Sequence, residues 1–199
     1  MATPTELATD GRIQRSERSR TAIVQAMLEL IGEGSLSPTA QQVAERADVG
    51  VRTVFRHFSD METLFATMNE QLSAEVGTLF VETNQTGSFL ERVDALIDRR
   101  VAIFGKLAPY VRSSTLQRWR SAFLQEEHER TTRVLRRDLR RWLPELEAVP
   151  SEVADALEMI LSFEAWNRLR IEQKLGLRRA TGVMRVAVLA LMEKHAVSR

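Results

Sequence analysis

Apolar residues recur at helical spacing in almost every window of this chain, and no stretch alternates in the two-residue period of a strand. Glycine (9) and proline (5) are sparse among 199 residues, and long stretches mix Ala, Leu, Glu and Arg, all strong helix formers. An all-α fold follows. The interruptions fall at Gly32 to Gly34, Ser37 with Pro38, Asp48 to Gly50, Ser59 with Asp60, Gln85 to Gly87, Pro109, Pro144 with Pro150, and Leu175 with Gly176. They divide the sequence into about nine helices of unequal length. Three are packed between about Gln14 and Phe58, whereas after Gly87 the spacing predicts longer ones over 88–105, 108–114, 115–142, 151–175 and 178–196. This gives a disordered arm at 1–11, a short-helix unit at 12–66 and a long-helix unit at 67–199, with the boundary inside the helix that begins near Ser59.

Composition removes several function classes. With no cysteine, thiol nucleophiles, disulfides, iron–sulfur clusters and cysteine zinc sites are excluded. Three histidines occur (His57, His128 and His195), with no HExxH motif, glycine-rich phosphate loop or G-x-S-x-G elbow, so an enzyme is not expected and no metal or cofactor is called for. The opening MATPTELATDGRIQ lacks a secretory pattern, and no run of about 18 apolar residues appears. A cytoplasmic protein without a membrane partner is expected.

The segment Thr39 to Phe58, TAQQVAERADVGVRTVFRHF, has the pattern of a helix-turn-helix. Thr39 is placed to cap a helix through its hydroxyl, and Val43, Ala44 and Ala47 give that helix one apolar stripe. Val49, apolar inside a polar turn, is placed to plug the space between two helices. Val51, Val54, Phe55 and Phe58 then follow at i, i+3, i+4 and i+7. Arg52, Thr53, Arg56 and His57 remain outward, with Gly50 at the helix start. Arginine pairs two donors with guanine or grips phosphate, and threonine meets a thymine methyl or a phosphate oxygen.

Residues 15 to 66 resemble the N-terminal DNA-binding region of the TetR family of transcriptional regulators. The resemblance is carried by Thr39, Val43 with Ala44, Val49 in the turn, Thr53 to Phe55, His57 with Phe58, and Glu62 and Leu64 opening a fourth helix. A later Ser162 to Trp166 segment also fits. Asp48 replaces a common turn glycine, in a position where a left-handed backbone is tolerated. Phe55 replaces a frequent tyrosine, and Met61 a frequent lysine. Ahead of the motif, Arg12, Arg15, Arg18 and Arg20 face only Glu17, a local balance of +3, whereas residues 35–66 carry −1. A modest salt dependence and reliance on a specific site are therefore expected. With the resemblance, the residues placed at DNA are Arg15, Arg18, Thr39, Gly50, Arg52, Thr53, Phe55, Arg56 and His57.

The resemblance further implies that the long-helix unit senses a small molecule and forms a homodimer through the last two long helices. It implies a repressor that binds a palindromic operator and is released when the fourth helix tilts. Dimerisation has a second warrant, since one short recognition helix reads few bases and a two-fold pair reads successive grooves. Val153, Leu157, Ile160, Leu161, Val183, Val186, Ala187, Ala190 and Leu191 give broad apolar faces, but burial within one subunit has the same pattern. A pocket of Phe104, Trp119, Phe123, His128 and Met159 suits an apolar or aromatic effector, although core aromatics and a partly exposed histidine read the same way. Arg130, Arg133, Arg136, Arg137, Arg140 and Arg141 face only Asp138, and an acidic run from Glu145 to Glu164 is placed to neutralise them in part. The competing class is a helical protein-interaction adaptor without specific DNA binding.

Overall fold

A computed structural model describes residues 4–77 and 85–196, and side chains over 13–74 and 85–194. Among the described residues there are nine α-helices and no strand: α1 (Pro4–Gly32), α2 (Ala40–Arg46), α3 (Val51–His57), α4 (Met61–Gly77), α5 (Phe89–Gln117), α6 (Ala122–Trp142), α7 (Ser151–Ile160), α8 (Phe163–Asn167) and α9 (Leu177–Ala196). The all-α expectation is met.

By contact the chain forms two compact units. Unit 1 is Met1–Thr78 with Pro109–Gln125, and unit 2 is Leu79–Ala108 with Glu126–Arg199. This division differs from the linear boundary at 66/67, because a second stretch of chain returns to the first unit. The arm expected at 1–11 differs too: α1 is helical from Pro4, where proline suits the first helical turn. Residues 1–3 and the side chain of Arg12 lie outside the described residues.

In unit 1, α1 presents Ile23, Val24, Met27 and Ile31 at helical spacing to a core shared with Val43 and Ala44 of α2, Val54 of α3, and Leu64, Phe65 and Met68 of α4. Gly34 ends α1 in the left-handed region (φ 103°), and the Ser35 N–H returns to the Leu30 carbonyl at 2.9 Å. The 109–125 stretch joins this unit through the Ser113 hydroxyl, which donates to the Leu36 carbonyl at 2.7 Å, and through buried Leu124.

In unit 2, Leu96 and Ile97 of α5, Leu139 and Trp142 of α6, Leu157 of α7, Trp166 of α8 and Met184 and Val188 of α9 form one core. Its apolar character is interrupted by buried Asp138 and by buried Arg100. The Arg100 guanidinium donates to the Leu161 carbonyl at 2.9 Å and the Leu135 carbonyl at 2.7 Å, and lies 3.7 Å from Asp138.

Three predicted helix boundaries are corrected. The separate helices over 88–105 and 108–114 are one helix, α5, running through Pro109. The hydrogen bond that Pro109 cannot make is offset by tertiary anchoring, since Ala108 is in one core, Tyr110 packs against the other, and Ser113 is tied to Leu36. The helix expected from residue 115 starts at Ala122, after a short 3₁₀ turn, because the Ser121 hydroxyl accepts the Leu124 N–H at 3.2 Å. The helix expected over 151–175 breaks at Leu161. There Ser162 caps α8 by accepting the Ala165 N–H at 3.1 Å, while Arg100 takes the freed Leu161 carbonyl. A π-helical turn over Arg168–Glu172 follows α8, and Lys174 (φ 53°) closes it in the left-handed region.

Candidate nucleic-acid interface

Two short helices and a tight turn make the site. Thr39 caps α2 in a reciprocal box: its hydroxyl oxygen accepts the Gln42 N–H at 3.3 Å, and the Gln42 side chain accepts the Thr39 N–H at 2.9 Å. Val43 and Ala44 are buried beneath, as their spacing predicts. Arg46 reaches back to α1 and pairs with Glu33 at 2.7 Å and Glu29 at 3.4 Å, which holds the Glu33 carboxyl below its ordinary range. That arginine is thereby occupied within the unit.

The turn is made by Asp48 at φ 52°, the left-handed conformation that a short polar side chain tolerates without glycine. Val49 is half-buried and packs on the core of unit 1. Gly50 then caps α3 with no side chain of its own, leaving the first turn open.

On α3, Val54 and the following Phe58 are buried, and Val51 is half-buried. Phe55, which the spacing places in that same stripe, is instead 48% exposed. Phe55 lies at the edge of the stripe nearest Arg52 and stands beside the outward residues. Arg52 and Arg56 are exposed and Thr53 is partly so. None of these three has an ion-pair partner among the described residues. Arg52, Thr53, Phe55 and Arg56 thus form one outward face of two cations, a hydroxyl and an apolar ring.

His57 is placed differently from expectation. It is only partly exposed, and its Nε2 is buried without a hydrogen-bond partner. Burial, then the charges of Arg56 and Arg20, hold its imidazole below the ordinary pKa, against a weaker opposing effect of Glu17. Those neighbours bring the end of α3 beside α1. The same junction is fastened by the Arg20 guanidinium, 5.1 Å from the centroid of the Phe58 ring. Arg15 and Arg18 are exposed on α1. Sequence alone read Arg20 as one more charge of the basic arm; the contact that locks α3 against α1 has no signature in spacing.

α4 follows after Asp60, whose carboxylate accepts the Thr63 N–H at 2.7 Å and is thereby held below its ordinary pKa. Met61 is partly buried against the core of unit 1, so its side chain packs.

The five residues expected to line an effector pocket are not brought together in either unit. Trp119 (69% exposed) and Phe123 belong to unit 1. Phe104, His128 and Met159 belong to unit 2. There Phe104 is buried in an aromatic cluster, 5.7 Å from Phe163 and 5.9 Å from Trp166 between centroids, whereas Met159 and His128 are exposed. Trp119 lies in the 3₁₀ turn that precedes α6, and so off the helix that carries Phe123 and His128.

The arginine block of α6 is neutralised in part. Arg136 pairs with Glu158 at 2.5 Å and Asp155 at 3.8 Å on α7. Arg130 and Arg133 pair with Glu127 and Glu129 of their own helix, and buried Asp138 is paired with Arg99. Among the described residues no group of three or more His, Asp or Glu is placed to hold a metal ion, and no helix is long and apolar enough to cross a membrane.

A capped first helix, a plugged turn and a second helix with an outward polar face define a helix-turn-helix motif. Residues 23–68 match the family described as bacterial regulatory proteins, tetR family. Among solved structures the chain is similar to a transcriptional regulator from Rhodococcus sp. Rha1, with a TM-score of 0.67 and 16% sequence identity, over 90% of this chain and 96% of that one. No curated protein matches it in sequence. The family match is confined to residues 23–68, and the likeness over the whole length is one of fold.

Proposed function

We propose that this protein is a transcriptional regulator of the TetR family, a repressor that binds an inverted-repeat operator as a homodimer and is released by a small molecule. The observation that carries the reading is the outward face of α3, where Arg52, Thr53, Phe55 and Arg56 stand exposed or partly exposed around a buried Val54. Arg15 and Arg18 of α1, Thr39, Gly50 and His57 complete the set. Thr39 and His57 position the motif through the cap and through packing, while the arginines engage phosphates and bases. Seven residues of helix reach only a few base pairs, so specificity requires a second copy of α3 about 34–36 Å away.

A surface for pairing is supported by α9. Val183 (41% exposed), Val186 (67% exposed) and exposed Ala190 share one side of the helix, opposite the side that buries Ala180, Met184 and Val188. Leu157 and Leu161, weighed with them from sequence, are core residues. An effector in unit 2 acts by tilting α4, whose Leu64, Phe65 and Met68 are seated in the same core as α3.

Selection from random duplex DNA tests this reading. The expected outcome is an inverted repeat with half-sites one helical turn apart or a multiple of it, bound by a dimer in sedimentation. Val186→Glu is expected to shift the protein toward monomer and weaken operator binding at least tenfold. Recovery of a single unrepeated site by a monomer would overturn the homodimer.

A further inference from the structure

Unit 2 carries an open groove of about 780 Å³ between α5 and α9, within the range of small-molecule sites. None of the residues expected from sequence lines it. Its walls are Val101, Ala102 and Gly105 of α5 and Leu177, Thr181 and Gly182 of α9. The Thr181 hydroxyl donates to the Leu177 carbonyl at 3.0 Å, within its own helix. Its hydroxyl proton is therefore already used. Gly105 and Gly182 border open space in the groove wall, since a Cβ at either would meet no atom within 4 Å.

Charge is distributed unevenly along it. Arg185 is neutralised by Asp94 at 2.7 Å, and Asp98 stands one turn further along α5. Lys106 and Arg178 are exposed and without an ion-pair partner among the described residues. Lys106 lies about 18 Å from Asp94 along α5, and Arg178 about 10 Å from Arg185 along α9, at 1.5 Å per residue. Both cations thus stand away from the neutralised pair, at the part of the groove with unbalanced positive charge.

Building on the proposal that unit 2 is the sensing half, we infer that this groove binds an amphipathic organic anion. Its carboxylate or sulfonate is held by Lys106 and Arg178, and its apolar body lies along Val101, Ala102 and Leu177. The two glycines are the positions where the site accommodates that body.

The test uses the full chain and two fluorescent probes of similar shape, anionic 8-anilinonaphthalene-1-sulfonate and neutral N-phenyl-1-naphthylamine. Wild type is expected to bind the anion saturably and more tightly than the neutral probe. Gly105→Leu and Gly182→Leu, on different helices, are each expected to weaken both probes at least tenfold, with thermal unfolding confirming the fold. Lys106→Glu with Arg178→Glu is expected to weaken the anion tenfold and leave the neutral probe within twofold. No saturable binding, binding unchanged in both leucine variants, or equal loss of the two probes on charge reversal overturns the inference. Binding of the probe-free wild type to the DNA upstream of its own gene is measured alongside. Its absence removes the regulator reading, whereas its presence with a failed probe result removes only the groove.

Discussion

Thr39 shows how far a single position was legible. Its hydroxyl and the proline before it mark a helix start, and the structure adds the reciprocal bond from Gln42. Thr39→Ala is expected to cost about 1 kcal/mol, measured as a shift in chemical unfolding, because it orphans one N–H of α2. His57 was legible only as an outward polar residue, since nothing in spacing tells which ring edge is covered. With its folded pKa held low by burial and by Arg56 and Arg20, the unfolded chain binds the proton more readily. Its contribution is therefore fully present above the ordinary imidazole pKa of about 6.5 and is lost as pH falls toward the folded value. Comparing urea midpoints at pH 7.5 and 5.5, wild type should lose more stability than His57→Gln; equal losses would show that His57 does not couple to folding. Phe55 makes the complementary point, because its spacing suggested burial and it stands half exposed.

At the scale of elements, helix identity was legible throughout and helix ends only where a cap advertised them. The predicted break at Pro109 failed because proline's local cost is offset by long-range contacts that periodicity does not contain. The break at Leu161 is the reverse case. It depends on Arg100, 61 residues earlier, supplying a donor to a carbonyl that a continuous helix would have satisfied. Burial pushes the Arg100 pKa down to about 10, with Asp138 opposing the shift, so it remains charged near neutral pH. Arg100→Met is expected to destabilise the protein by about 3–5 kcal/mol, since it leaves two carbonyls and part of the Asp138 charge uncompensated. Arg100→Lys should recover part of that loss, because an ammonium keeps the charge but cannot span both carbonyls. Guanidinium unfolding checks both values; a loss under 1 kcal/mol for the methionine variant would contradict the account of the break.

For the whole molecule, a net charge of +1 concealed a separation of tasks. Positive charge at the DNA-reading end sits on α1 and α3, while much of that on α6 is answered by α7 and by its own acids. The helix-turn-helix was legible because the motif demands a fixed order of cap, plug and outward residues over about twenty positions. The return of residues 109–125 to unit 1 was not, since it rests on contacts such as Ser113 to Leu36, made 77 residues apart. The effector site suffered for a related reason: a pocket is built from surfaces left unfilled, as at Gly105 and Gly182, and sequence reports what is present.

The central claim is that α3 reads DNA through its outward face. It is tested by measuring affinity for the DNA upstream of the protein's own gene across a salt titration, for wild type and for Arg52→Ala combined with Thr53→Ala. Two lost arginine contacts per dimer should lower the magnitude of the salt slope by about 1.8 where both meet phosphate, and the affinity should fall at least 30-fold. An unchanged affinity and slope would contradict DNA reading by α3 and leave the helical unit as a protein-binding adaptor.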